Sequence, residues 1–569
     1  MTNIDVSVLN GRNGFVIQGI AQDGRLGDAV SDAGDVNGDG LADILVGARD
    51  VDISGSNNEG QVSVIFGSSD GFANQFSVSD INGENGFQID GISEDQRLGI
   101  AVSSAGSVNG GDFADIIIGA NGTNNNTGSS YVILGKSDIS DIDLSDLDGT
   151  NGFEVNGITE GDFLGSAVSS AGDFNGDGFD DVAVAANFAD ANGNVDAGAT
   201  YVIFGTDTGF PEEIDTALLD GSNGFILNGA SPEDFSGISI SSAGDINGDE
   251  RDDLLIGASF ADPGEEDSAG TTYVIFGSDT TVRELDLSTI DNSSLGFTIN
   301  GIVAGDSSGT SVAGVGDINN DGFADIGIGA PAADPDNTNA GQSYIVFGTE
   351  TGFNEEISLE NLDGSNGFTI NGANTDDQLG TAISAAGDVN NDSIDDFIIG
   401  AVGANGDTGS GYVIFGQEEG TEFTPTLALS DLNFSQGFAI DGAIATDRVG
   451  ESVSGLGDVN GDGIGDLLIG APQASPDGVR DAGEAYVVFG RIENLGDANN
   501  DGDYTDEDAY LISRVAVGLD SEFAAYPGID PLLVADVNSD GVISAFDSAS
   551  IFYTANGIEC SCALPDIGE

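Results

Sequence analysis

The stretch "GDVNGDGLADILVGA", residues 34–48, sets oxygen-bearing side chains at every second position and then runs into an apolar strand. In "DVNGDGLAD" the oxygens fall at loop positions 1, 3, 5 and 9, with a glycine at position 6 where the chain must curl through positive φ. A hard cation such as Ca²⁺ takes roughly six to eight oxygen ligands, and alternating Asp and Asn in a tight turn supply them. The first candidate set is therefore Asp35, Asn37, Asp39, the backbone carbonyl of Leu41, and Asp43.

Loops of this kind begin at Asp35, Ser107, Asp173, Asp245, Asp317, Asp388 and Asp458, spaced 66 to 72 residues apart. Around each loop the same segments recur in order: a strand such as "NGFVIQG" (13–19) or "NGFTING" (366–372), a small-residue segment such as "LGSAVSSAGD", the loop, an apolar strand such as "DDLLIGA", and a strand such as "TYVIFG". The runs are short, β-branched or aromatic, and bounded by Gly, Asn and Asp, with no helical period. Four short strands per repeat, seven times over, predict an all-β, seven-bladed β-propeller, in which each twisted sheet buries its faces against its neighbours. An unpaired "NGF" strand opens the chain at 13–19 and none follows the last "AYVVFG" at 485–490. The N-terminal strand is thus expected to form the outermost strand of the last blade and to close the ring.

Six loops carry the full set of side chains. They are Asp35 to Asp43 above; Asp173, Asn175, Asp177, Phe179 (carbonyl) and Asp181; Asp245, Asn247, Asp249, Arg251 (carbonyl) and Asp253; Asp317, Asn319, Asp321, Phe323 (carbonyl) and Asp325; Asp388, Asn390, Asp392, Ile394 (carbonyl) and Asp396; and Asp458, Asn460, Asp462, Ile464 (carbonyl) and Asp466. Glu250 and Ser393 replace the glycine of two of them, which is expected to loosen those turns. The second loop, "SVNGGDFAD", has Ser107, Asn109, Gly111 and Asp115, with Asp112 displaced by one place, and is expected to bind weakly or not at all. Asn-Gly and Asp-Gly loops are also ordinary turn formers, but seven in register favour the cation.

The repeat resembles the FG-GAP repeats of the integrin alpha-chain propeller and related bacterial proteins. "LG" at Leu26–Gly27 and Leu164–Gly165 stands at the FG position, and "GAP" occurs at 329–331 and 470–472. The resemblance covers about residues 13–490 and implies a ligand-presenting face opposite the calcium loops.

Beyond residue 495 the period changes. "DANNDGDYTDED" (497–508) and "DVNSDGVISAFD" (536–547) are 12-residue loops with oxygens at 1, 3, 5 and 12 and glycine at 6, each followed by a helical stretch. Two such loops with Asp at position 12 resemble a dockerin domain. By that resemblance the ligands are Asp497, Asn499, Asp501, the Asp503 carbonyl and Asp508, then Asp536, Asn538, Asp540, the Val542 carbonyl and Asp547, and the implied partner is a cohesin. A calcium-bound cap with no cohesin is the alternative. The boundaries read 1–492 for the propeller, 493–558 for the small α-helical dockerin-like module and 559–569 for a tail.

Composition narrows the function. The formal charge is −88, from 99 acidic against 11 basic residues, which disfavours nucleic acid and anionic membranes. The absence of histidine excludes Ser-His-Asp triads and His-ligated metals, and two cysteines, Cys560 and Cys562, make no disulfide scaffold. No apolar run reaches a membrane-spanning length, and the N-terminus lacks a signal-peptide pattern. These features point to a bacterial protein, extracellular or on the cell surface, that binds calcium and presents a propeller to a protein or surface-glycan ligand. The runner-up is a polysaccharide lyase or hydrolase with Tyr131 or Tyr201 as acid. Those tyrosines share one strand position with Tyr273, Tyr344, Tyr412 and Tyr486, which points to packing, and no catalytic residue is assigned. Arg25, Arg97, Arg448 and Arg480 fall in or beside the loops of the presenting face, where relief of repulsion is the favoured role over gripping an acidic partner.

Overall fold

The structure, a computed structural model, describes residues 3–490 apart from a few loop positions (54, 138, 140–141, 280–281, 293, 336–337, 354–355, 422 and 434), the helix Asp506–Ala516, and Ala535, Ile543 and Ser548. Residues 3–490 form seven sheets in a closed ring. Blade 3 shows the plan: Ala167–Gly172, Asp181–Ala186, Ala199–Ile203 and Gly224–Asn228 pair antiparallel in that order from the axis outward. The second strand of every blade, such as Asp43–Ala48, is buried on both faces and accordingly reads as a continuous apolar run. The first strands are rich in Gly, Ala and Ser, and they pack against one another around the ring until the last meets the first.

The N-terminal strand Gly14–Gln18 pairs antiparallel with Glu484–Val488 of blade 7, so the ring closes as expected. It is the fourth strand, however, and not the outermost one. Gln75–Ser77, from the chain leading to the next "NGF" strand, lies parallel along its outer side. The same addition recurs on blades 2 to 5 through Glu213–Asp215, Glu284–Asp286, Glu356–Ser358 and Thr426–Ala428, on blade 6 through Ile4–Asp5, and on blade 1 as a single bridge between Ile89 and Ile142. Each blade thereby covers the exposed edge of the one before it. All seven of these segments run into a 3-10 turn, and Asp5, Ser77, Asp143, Asp215 and Asp286 cap five of the turns. The N-terminal stretch is held twice, on blade 7 by 14–18 and on blade 6 by 4–5.

The facing sheets of neighbouring blades pack through apolar side chains. Seven clusters of buried side chains each join the facing sheets of neighbouring blades, among them Phe15, Ile17, Ile44, Val46, Leu468 and Val487 across the seam between blades 7 and 1. Phe15 is fully buried and stacks on Phe72 with ring centroids 4.2 Å apart. Five of the six ion pairs among the described residues also lie on blades 7 and 1, including Arg49–Asp28 at 2.7 Å, Arg448–Glu451 at 2.6 Å, Arg25–Asp50 at 3.5 Å and Arg480–Asp23. Partly exposed pairs of this kind contribute at most about 1 kcal/mol each, so strand pairing and apolar burial close the ring and the charges trim it.

The helix Asp506–Ala516 covers most of the first helical stretch expected after residue 508, and Ser548 donates a hydrogen bond to the Ala509 carbonyl at 2.6 Å. Asp497, Asn499, Asp501, Asp503, Asp536, Asn538, Asp540, Val542, Asp547 and both cysteines lie outside the described residues, as does the side chain of Asp508.

Truncating Phe15 to Ala removes a buried ring from the closing strand and is expected to lower the unfolding free energy by about 3–5 kcal/mol. Denaturant unfolding of the full chain measures it, and a loss below about 1 kcal/mol contradicts closure by this strand.

Candidate functional site

The seven loops connect the first and second strands of their blades and all lie on one face of the ring, because neighbouring strands alternate in direction. The six complete loops share one hydrogen-bond pattern. The carboxylate at position 1 accepts the backbone N–H of position 5 at 2.9–3.1 Å. Its other oxygen accepts the N–H of position 6 at 2.7–2.9 Å. The carboxylate at position 5 accepts the N–H of position 7 at 2.9–3.1 Å. Asp35, Asp173, Asp245, Asp317, Asp388 and Asp458 thus wind each turn about their own side chains. Glu250 and Ser393 hold the position-6 hydrogen bond as the glycines do and adopt φ of +68° and +70°, so these turns are not loosened.

The amide at position 3 reaches across each turn. Asn37 and Asn390 donate to the position-5 carboxylates of Asp39 and Asp392 at 3.1 Å, and Asn247 and Asn460 donate to the position-9 carboxylates of Asp253 and Asp466 at 3.2 and 3.4 Å. Among the described residues no three carboxylates gather closely enough to hold a metal ion by themselves; the amide is interposed. In blade 2 the pattern is broken: the Ser107 hydroxyl donates to the Gly111 carbonyl at 3.0 Å, and the carboxylate that would organise the turn is absent.

Position 9 behaves differently from the rest. Asp43, Asp115, Asp181, Asp253, Asp325, Asp396 and Asp466 are all fully buried. One oxygen of each accepts a backbone N–H at the start of its own loop, at 2.9–3.2 Å. The other accepts the N–H of the glycine that ends the third strand (Gly67, Gly135, Gly205, Gly277, Gly348, Gly416, Gly490), at 2.8–3.0 Å. Blade 2 keeps this bridge although its loop lacks the ligand set, so the bridge is structural in its own right.

The loops also join blades. Ala114 N–H donates to the Asp35 carbonyl and Lys136 N–H to the Val36 carbonyl; at the seam Ala42 donates to Asp458 and Ser68 to Val459, all at 2.8–3.1 Å. Where position 4 is glycine, the position-7 side chain of the next loop packs on it: a Cβ on Gly38 would meet the Phe113 ring at 2.3 Å. Where position 8 is Asp, its carboxylate crosses the boundary as well: Asp180 accepts from Ser107 N–H at 2.6 Å, Asp252 from Asp173 at 2.9 Å and Asp395 from Asp317 at 3.0 Å. Sequence reasoning missed these three; the run of two aspartates at positions 8 and 9 was the available signal.

The sequence pattern of the FG-GAP repeat matches residues 29–65, 164–203, 236–275, 308–346 and 449–488, each from the first to the third strand of blades 1, 3, 4, 5 and 7. The chain carries FG-GAP repeats. A phosphatidylinositol-glycan-specific phospholipase D of Bos taurus is 28% identical over 181 residues, 30% of this chain and 19% of its own. Integrin alpha-4 of Xenopus laevis is 28% identical over 155 residues (27% and 13%), and integrin alpha-PS2 of Drosophila melanogaster 33% over 136 (22% and 9%). The chain thus aligns with less than a fifth of the length of these relatives.

On the opposite face of the FG-GAP ring, Arg25, Arg448 and Arg480 each meet a carboxylate, as relief of repulsion requires, while Arg97 has no side-chain partner among the described residues. The recurring tyrosines are packing residues with anchored tips: the Tyr131 hydroxyl accepts from Gln96 at 2.9 Å and Tyr486 donates to Glu484 at 2.7 Å. Burial raises the carboxyls of Asp234, Asp306 and Asp447 in the 4–1 loops to about 6, that of Asp115 to about 7 and that of Asp325 to about 8, from the usual 3.8. No helix among the described residues is long and apolar enough to cross a membrane.

A carboxyl whose value is higher in the folded than the unfolded state stabilises when protonated, and that contribution fades as pH rises through the folded value. In chelator, the melting temperature is therefore expected to rise by several degrees as pH falls from about 8 to about 5. Calorimetry reads this directly; a melting temperature that falls over the same range contradicts the buried-carboxyl picture.

Proposed function

We propose that the chain is an extracellular or cell-surface interaction scaffold: a calcium-stabilised FG-GAP propeller that presents its 2–3 and 4–1 loops to a protein or surface-glycan ligand. The observation that carries the metal is the common hydrogen-bond frame of six loops, which sets the carboxylates of positions 1 and 5 and the amide of position 3 about one turn, with the position-9 carboxylate buried behind it. That donor set is all oxygen and acidic, as a hard divalent cation requires and a soft metal does not. The holding residues in each loop are those at positions 1, 3, 5, 7 and 9, and the ion supplies the positive charge that relieves their mutual repulsion. Neighbouring blades are hydrogen-bonded through these same loops, so ion binding is expected to stiffen the ring as a whole. The integrin alpha relatives support the interaction role. The 12-residue loops at 497–508 and 536–547 are proposed to take two further ions, and their module to dock a cohesin-type partner.

The enzyme reading lacks a supporting observation: Tyr131 and Tyr201, the imagined acids, are 2% and 5% exposed and locked in strand packing.

Calcium bound per full chain, measured by equilibrium dialysis, is expected to fall by one with Asp321→Ala and to stay constant with Asp112→Ala. The same Asp321→Ala change is expected to lower the melting temperature in millimolar calcium more than in chelator. Equal losses in both media, or no bound calcium, would sink the metal assignment. For the scaffold role, the immobilised full chain is expected to capture a surface protein or glycan that chelator releases.

A further inference from the structure

The residue just before the Leu-Gly, Ser-Gly or Val-Gly pair of each 4–1 loop leads into the innermost strand, so seven such residues ring the mouth of the axis on the face opposite the calcium loops. They are Arg25, Arg97, Phe163, Phe235, Ser307, Gln378 and Arg448, all half-buried, and all seven have φ between +51° and +60°. That left-handed conformation suits glycine and asparagine and is costly for large side chains. The chain has 89 glycines, yet none is used here. With 11 bases in 569 residues, seven positions are expected to hold none, and they hold three. Side chains placed at a steric cost, at the mouth of a rigid scaffold, mark a surface that contacts something else.

Their order divides the mouth into two arcs. Arg448, Arg25 and Arg97 belong to the consecutive blades 7, 1 and 2, and Phe163 and Phe235 to blades 3 and 4. The phenylalanine arc runs from blade 3 to blade 4 through alternate 4–1 and 2–3 loop residues as one unbroken series of ring contacts: Phe163–Phe188 at 5.1 Å, Phe188–Phe235 at 5.0 Å and Phe235–Phe260 at 5.3 Å between centroids. Phe188 and Phe260 are 39% and 46% exposed. In the other blades their place is taken by Asp50, Gly122, Ala332, Gly403 and Gln473. Arg25 and Arg448 share their charge with Asp50 and Glu451, whereas the Arg97 guanidinium is uncommitted among the described residues.

We propose that this mouth binds a polypeptide segment that sets a carboxylate on the arginine arc, at Arg97 first, and an apolar side chain in the phenylalanine row. The inference rests on the scaffold reading above and names the partner's chemistry. Successive rings lie at 50°, 69° and 68° to one another, which gives notches for side chains and no flat platform for a sugar ring or a base. Aromatic and arginine side chains are also the residues that dominate protein interfaces. Elsewhere a chain of charge −88 repels acids, and a second copy of itself above all, so the arginine arc selects where an acidic segment can settle.

The test is selection of a displayed library of random peptides on the full chain in millimolar calcium, followed by dissociation constants for one selected peptide. Selected peptides are expected to pair Asp or Glu with a large apolar residue. Their binding is expected to weaken at least tenfold with Arg97→Glu, and at least tenfold with Phe188→Ala plus Phe260→Ala. Arg283→Glu, at the outer edge of blade 3, is expected to leave it unchanged. These side chains are partly exposed, and an unaltered melting temperature in each variant separates lost contact from lost fold. Basic selected peptides, or acidic ones that bind all variants equally, overturn the inference and leave the scaffold reading standing. A selection without binders overturns it too, as does self-association that the same variants abolish.

Discussion

A buried aspartate at the ninth position of each 1–2 loop is the constraint on which the rest of the blade depends. It lies at the head of the second strand and accepts one N–H from the loop behind it and one from the glycine that ends the third strand. A single side chain therefore fixes where the loop starts and where the third strand stops. Two buried amides would be left without partners in its absence, at about 1–3 kcal/mol each. Burial works against the carboxylate, raising the Asp325 carboxyl to about 8, and a cation in the adjacent turn is the natural offset. The proposed ion is then an addition to a frame that already exists, as blade 2 shows by keeping the frame without the ligand set.

From this anchor the order within the ring follows. A fixed loop sets the carbonyls at positions 1 and 2, which receive N–H groups from the next blade, and the loop glycine receives the next blade's position-7 side chain. The blades are thus indexed to one another on the loop face by hydrogen bonds, while the apolar clusters between sheets supply most of the stabilisation. On the opposite face each 4–1 loop is tied by backbone hydrogen bonds to the 2–3 loop of the blade it leaves, as where Arg25 and Phe235 donate to the Asp481 and Asp196 carbonyls. The side chains on that shared backbone differ, with arginines in blades 7, 1 and 2 and phenylalanines in blades 3 and 4. A backbone held alike at every junction, with side chains that vary on one face, is the physical form of a scaffold.

Much of this was legible in the order of residues. Seven acidic loops and an unpaired "NGF" strand at the start specified the blade count and the closure by 14–18, because a sheet edge must find a partner. Positions 1, 3, 5 and 9 stood out by alternation. The fifth strands did not, since three residues such as Glu213–Asp215 are too few to show a period and their partners lie one blade away; the "LSDL" and "LENL" segments before each "NGF" were the faint trace. The second acceptor role of Asp43 was also hidden, because Gly67 lies 24 residues on and declares nothing about its N–H. The run of Phe163, Phe188, Phe235 and Phe260 needs two blades side by side to be seen. The turns at Glu250 and Ser393 corrected a rule taken too literally: the position-1 carboxylate, accepting their N–H groups, holds a left-handed residue there without glycine.

The most direct measurement is the unfolding free energy of Asp115→Asn, in blade 2, compared with Asp325→Asn, in blade 5, each in chelator and in calcium. Asparagine keeps the shape but turns one acceptor into a donor facing a backbone N–H. The buried-aspartate anchor predicts that Asp115→Asn costs about 1–3 kcal/mol equally in both media, and that Asp325→Asn costs more in calcium than in chelator. A neutral Asp115→Asn, or a loss there that appears only with calcium present, would contradict it.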